Sequence, residues 1–290
     1  MAKRKSFTRQ LWEEHQRNKR EKRRLEQARE RHDLAVERER RQQRRDRQRE
    51  REATNRRKRQ RSQEQDRRDA AQKRQYEQIL AEQGAARAKA WTADIDATIA
   101  AMESVVNDRS RDLAHHHAQL VEAVAGGNTG VVGDTVQSVL RSSTYPTTVP
   151  VECRVHYRPE AGELLIDCEL PRHDVVPAIA SYRYIKGKKE LRPTARKEPE
   201  RRWRYGRLIA RIALRVIREA LDATPPTIVG TVTMNAHVSA VHTATGRPIR
   251  PCMVSVMAER DEFDQLHLDA PELDPQRCLR YLNAIVSPHP

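Results

Sequence analysis

The chain has 290 residues, of which 33% are charged, 4% aromatic and 37% hydrophobic, a mixture too polar for one compact globule. Its net charge is +15, and residues 1–90 alone hold 31 basic and 16 acidic groups, an excess equal to that of the whole chain. This excludes a uniformly basic enzyme and implies a basic arm joined to an electrically neutral domain.

No apolar run of signal-peptide length follows Met1, and the longest apolar stretch, residues 175–180, is too short to span a bilayer. A cytoplasmic protein with no membrane partner is therefore expected. Cys153, Cys168, Cys252 and Cys278 contain no CxxC pair, which suits neither a disulfide scaffold nor a zinc ribbon, and reduced thiols are expected. Arginine outnumbers lysine 45 to 11, which fits both a GC-rich genome and bidentate phosphate contact.

Residues 1–75 form the basic arm. No glycine precedes Gly84 and no proline precedes Pro146, so nothing breaks a helix of about 80 residues, roughly 120 Å at 1.5 Å per residue. Apolar positions are too sparse to fill the a and d sites of a dimeric coiled coil. Support comes instead from Glu-to-Arg pairs in the favourable i, i+4 order: Glu13 with Arg17, Glu37 with Arg41, Glu52 with Arg56, and Glu64 with Arg68. Ten basic residues crowd residues 42–61, among them Arg44, Arg45, Arg56, Arg57, Lys58 and Arg59. These six are the arm's candidate DNA phosphate contacts; the alternative for the arm is a solvated spacer.

Residues 76–145 read as a helical neck. From Tyr76 to Val124 apolar residues recur at helical spacing (Ile95, Ile99, Met102 and Val106 among them), and Gly126-Gly127 ends the run. Asp134 is placed to cap a short helix through Leu140. His115, His116 and His117 are consecutive, so on a helix they point about 100° apart and cannot converge on one metal ion.

Residues 146–290 read as an α+β domain with two β-hairpins and two or three helices. Val151, Cys153, Val155 and Tyr157 alternate with polar residues, as do Leu164, Ile166, Cys168 and Leu170. The four-residue turn Pro159-Glu-Ala-Gly162 sets one register, with Cys153 facing Cys168 and Val155 facing Ile166. A basic, proline-bounded loop is expected over residues 186–199, a helix over 203–221, a second hairpin over 228–258 and a last helix over 274–285.

On the 203–221 helix, Arg204, Arg207, Arg211, Arg215 and Arg218 fall within about 40° of one line at 100° per residue, a stripe opposite an apolar arc. Arg201 and Arg202 extend it. One reading makes the stripe a phosphate-contact surface that could be changed to Gln without unfolding the domain; the other pairs it with acidic residues of the same domain. The arm and stripe together would neutralise about six phosphates, a log K against log salt slope near −5. Glu152, Asp167 and Glu169 share the polar face of the first hairpin and could hold a metal, but the register sets Arg154 opposite Asp167 as a counter-charge, so no metal or other cofactor is expected. His173, His237 and His242 read as structural histidines. No nucleotide-binding glycine loop occurs.

The segments Leu170-Pro-Arg-His-Asp-Val-Val-Pro-Ala-Ile-Ala-Ser-Tyr-Arg-Tyr-Ile-Lys186, Thr245-Gly-Arg-Pro-Ile-Arg-Pro-Cys-Met-Val-Ser-Val256, Arg260-Asp-Glu-Phe263 and Asp274-Pro-Gln-Arg-Cys-Leu279 resemble the region preceding the nuclease domain in Mrr-like restriction endonucleases. The likeness covers about residues 140–290. It implies a restriction-system protein whose PD-(D/E)xK nuclease part, with its Asp-Gly-Gly-x-Asp and Gln-Ala-Lys stretches, is absent from this chain, so no catalytic residue carries over. The expected function is a DNA-associated accessory or targeting part, not itself an enzyme, with DNA, a separate nuclease subunit or a second copy as partners. The alternatives are an interaction scaffold without DNA binding and a degenerate metal-dependent nuclease.

Overall fold

The computed structural model describes residues 7–106 and 117–287. Helix α1 runs Phe7–Ser104. The chain divides into two units, Met1–Ile79 and Leu80–Pro290.

In the first unit α1 is exposed almost throughout, as its composition requires, with Leu11, Trp12, Leu25 and Leu34 in the open. Arg41 donates to Glu37 and Arg68 to Glu64, each at 2.8 Å. Glu52, the expected partner of Arg56, accepts instead from Gln48 at 3.0 Å.

The second unit is α+β. Where the apolar spacing suggested one helix to Val124, α1 stops at Ser104, Val105 and Val106 turn inward and are buried, and α2 spans His117–Ala125. His115 and His116 lie outside the described residues. Gly127, at φ +85°, ends α2 as expected. Helix α3 is Gly130–Ser142 with Thr129 at its N-cap, so Asp134 lies inside it and caps nothing.

Strands β1 (Glu152–Arg158) and β2 (Glu163–Glu169) form the first hairpin in the expected register, Cys153 against Cys168 and Arg154 against Asp167. Gly162 takes φ +58°, the left-handed turn position that a side chain rarely adopts. The two cysteines are not reduced as expected but joined as a disulfide, their Cα atoms 4.1 Å apart. The register that brings them directly opposite on one face makes bonding possible. Cys252 is free and exposed, Cys278 free and buried. Gln137 of α3 covers the outer edge of β1, donating to Cys153 O at 2.7 Å and accepting from Val155 N at 3.0 Å.

Residues 186–199 are not the expected loop. Strands β3 (Ile179–Ile185) and β4 (Glu190–Ala195) make a separate two-stranded ribbon around them. Helix α4, Glu198–Asp222, follows with Pro199 in its first turn. Strand β5, Thr231–His237, then lies parallel to β2 and antiparallel to β8, Cys252–Glu259, with β6 (Ala240–Val241) and β7 (Pro248–Ile249) between them in sequence. A short helix α5 spans Arg260–Phe263, and α6, Pro275–Tyr281, is capped by Asp274, whose Oδ1 accepts from Gln276 N at 3.0 Å. Helix α6 is shorter than expected: Asn283 turns left-handed at φ 55°, and Ile285–Val286 becomes β9, pairing with β8.

The main sheet thus has the order β1-β2-β5-β8-β9. Leu164, Ile166, Val232, Met234, Val254 and Val256 line its inner face against α4, which is buried over most of its length. Arg260 closes the C-terminal end of α4, donating to Leu221 O at 3.0 Å and Thr224 O at 2.9 Å.

Candidate nucleic-acid interface

Four groups of charged side chains are candidates for a functional site, and the structure treats them differently. The arm residues Arg44, Arg45, Arg56, Arg57, Lys58 and Arg59 are all exposed, and none makes an ion pair among the described residues. At 100° per residue they surround the helix, so about three can face one duplex at a time.

The stripe on α4 is not an open surface. Arg204 donates to Glu103 at 3.1 Å and to Glu200 at 3.0 Å. Arg207 lies 3.4 Å from Asp274, and Arg218 is 3.2 Å from Asp269 and also donates to Val106 O. Arg211 is partly buried, and desolvation, with Arg207 beside it, lowers its pKa. Arg201 and Arg202 both pair with Glu198, at 3.2 and 3.5 Å, and only Arg202 is largely exposed.

Arg215 is the sharpest departure. Its side chain is 1% exposed, donating to Glu219 at 2.8 Å, Ser143 Oγ at 2.9 Å and Val105 O at 3.2 Å, beneath the Tyr145 ring. It cannot contact phosphate without unfolding its surroundings, so Arg215 is withdrawn from the phosphate-contact set. The burial of Arg215 on Glu219 weighs against the expectation that the stripe could be changed to Gln without unfolding the domain. The end of α1 and the segment before α6 cover the stripe, and carboxylates from both neutralise it.

The hairpin carboxylates form a third group. Arg250, from the turn before β8, donates through Nε to Glu169 at 2.8 Å and through Nη2 to Asp167. His237 Nε2 stands 3.2 Å from Asp167. Arg250 and not Arg154 is thus the principal counter-charge. Its hydrogen bond lowers the Asp167 pKa; at Glu169 burial acts upward, but the hydrogen bonds from Arg250 and Ser239 outweigh it and the net shift is downward. No group of three or more metal-ligating side chains occurs among the described residues.

The β3–β4 ribbon is the group that the sequence reading missed. Tyr182, Tyr184, Leu191 and Pro193 share one face of it, and α1 packs there. Tyr182 N donates to Thr92 Oγ1 at 2.9 Å, and the Trp91 and Tyr182 rings meet edge to face at 4.9 Å. A Cβ on Gly84 would stand 2.3 Å from the Tyr184 ring, which explains a glycine inside a helix. The aromatic alternation of residues 182 and 184 was the available strand signal.

The chain matches no known protein family, no curated protein and no solved structure. No helix among the described residues is long and apolar enough to cross a membrane.

Proposed function

We propose that the protein is a DNA-associated accessory or targeting part of a Mrr-like restriction or defence system, acting in the cytoplasm beside a separate nuclease. The observation that carries this reading is that Arg44, Arg45, Arg56, Arg57, Lys58 and Arg59 are exposed and make no ion pair among the described residues, so that a polyphosphate relieves their repulsion. The system itself is suggested by the resemblance of residues 140–290 to the region preceding the nuclease domain in Mrr-like enzymes. The chain carries neither Asp-Gly-Gly-x-Asp nor Gln-Ala-Lys, so no nuclease chemistry is assigned to it.

Binding is sequence-nonspecific and electrostatic, made to phosphates and not to base edges. The test is fluorescence anisotropy of the full chain with a labelled duplex across a salt series. Changing Arg44, Arg45, Arg56, Arg57, Lys58 and Arg59 to Gln should reduce the slope of log K against log salt by about 3, at 0.9 for each of about three phosphates. An unchanged slope, or no binding by the parent at low salt, contradicts the reading. The exposed Leu11, Trp12, Leu25 and Leu34 favour a second reading, an interaction scaffold, which salt-insensitive self-association without DNA binding would support. Asp167 and Glu169 are held by Arg250, so nothing observed favours the degenerate nuclease.

A further inference from the structure

We infer that the β3–β4 ribbon is a second DNA-docking element, its tip entering the major groove of a B-form duplex between the two phosphate backbones. The inference rests on the DNA-associated reading above and adds a site that the arm does not supply. Between Arg183 and Arg192 lie five cations, Arg183, Lys186, Lys188, Lys189 and Arg192, against the single carboxylate Glu190. All five are exposed, and none makes an ion pair among the described residues. Every α4 stripe arginine from Arg201 to Arg218 except Arg211 has a carboxylate within 4 Å, so the absence on the ribbon is not the rule for this unit.

Two features make the arrangement unfavourable without a partner. Arg183 stands directly opposite Arg192 across the strands, a like-charge pair that costs stability in an isolated ribbon. Lys189 occupies a left-handed turn position at φ 52°, where glycine or asparagine is the ordinary choice. A cation stands there against backbone preference. The tip itself is open, since a Cβ on Gly187 would meet nothing within 4 Å.

The shape fits the same partner. Two strands about 4.8 Å apart with their side chains pass into a groove about 12 Å wide, whereas the deep, narrow major groove of duplex RNA does not admit them. One face of the ribbon is seated on α1 through Trp91, Thr92 and Gly84, which fixes the tip's direction and leaves Arg183 and Arg192 on the other face.

The test uses the full chain with Arg183→Gln, Lys186→Gln, Lys188→Gln and Arg192→Gln combined, a 30-base-pair DNA duplex of arbitrary sequence, and an RNA duplex of the same sequence. The salt slope on DNA should fall by about 3 to 4, at 0.9 per phosphate lost, with affinity at least tenfold weaker and the RNA affinity nearly unchanged. Acetylation of Lys186, Lys188 and Lys189 in the parent should slow at least fivefold when the DNA duplex is bound, a readout that needs no variant to fold. Unchanged slope and unprotected lysines overturn the inference while leaving the arm reading intact. Loss of binding in the ribbon variant but not in the arm variant supports the ribbon and overturns the arm. Equal losses on DNA and RNA overturn the groove assignment, and a parent that binds neither duplex overturns both readings.

Discussion

The arginines of α4 and the cations of the arm are the same chemistry in opposite surroundings. On α4, Arg204, Arg207, Arg215 and Arg218 each meet a carboxylate or a main-chain carbonyl from a segment distant in sequence, and Arg215 is buried outright. On the arm the charges stand in solvent, and the named cations make no ion pair among the described residues. Density of positive charge therefore says little about a polyanion site. The two regions differ in whether that charge is already neutralised.

The sharpest way to break the comparison is Arg215→Met. Removing a buried cation strands Glu219 in a site that is only 13% exposed, and unfolding free energy should fall by about 3–5 kcal/mol. Denaturant titration checks this; a loss under 1 kcal/mol would make Arg215 as dispensable as an arm residue. The arm sixfold Gln variant should sit at the other extreme, with stability of residues 80–290 changed by no more than about 0.5 kcal/mol while its DNA salt slope falls.

A smaller effect is expected at Gly84→Ala. Alanine favours the helix by about 1 kcal/mol, but the new Cβ must displace the Tyr184 ring, and overpacking of this kind costs about 1–3 kcal/mol. A net loss of about 1 kcal/mol and altered Trp91 fluorescence should follow; a stabilised variant would mean that the ribbon is loosely seated.

Most of what could be read early was local. The first hairpin's register followed from alternation and a four-residue turn, and α4 followed from its apolar arc, because both are set by neighbours in sequence. The cover over the stripe was not legible: Glu103, Val105, Asp269 and Asp274 reach α4 only through tertiary packing. The parallel pairing of β2 with β5 escaped for the same reason, since a crossover leaves no turn signal. Arg154 was the counter-charge that the register offered, yet Arg250 arrives from outside the hairpin and makes the closer contacts. The ribbon was taken for a loop because its lysine-rich tip and Pro193 mask the alternation of Tyr182 and Tyr184.

The remaining differences are finer. Asp167 and Glu169 have folded pKa values lowered below their unfolded ones, so their contribution is present above the unfolded carboxylate range, near pH 4, and is lost as pH falls through the folded values. Both are partly solvent-exposed, so Arg250→Gln should remove only a few tenths of a kcal/mol at pH 7, a difference that vanishes in acid. Thiol labelling of the native, unreduced protein should modify Cys252 alone, Cys278 only after unfolding, and Cys153 and Cys168 only after reduction. Four labels on the unfolded but unreduced chain would restore the expectation of free thiols.

The central claim, that unneutralised cations bind DNA while neutralised ones hold the fold, is tested most directly by salt titration of duplex binding. Three full-length proteins suffice: the parent, the arm sixfold Gln variant, and Arg204→Gln with Arg207→Gln. The slope should fall by about 3 in the arm variant and stay within about 0.5 of the parent's in the stripe variant, at 0.9 per phosphate contact. A stripe variant that loses slope while the arm variant keeps it would contradict the account.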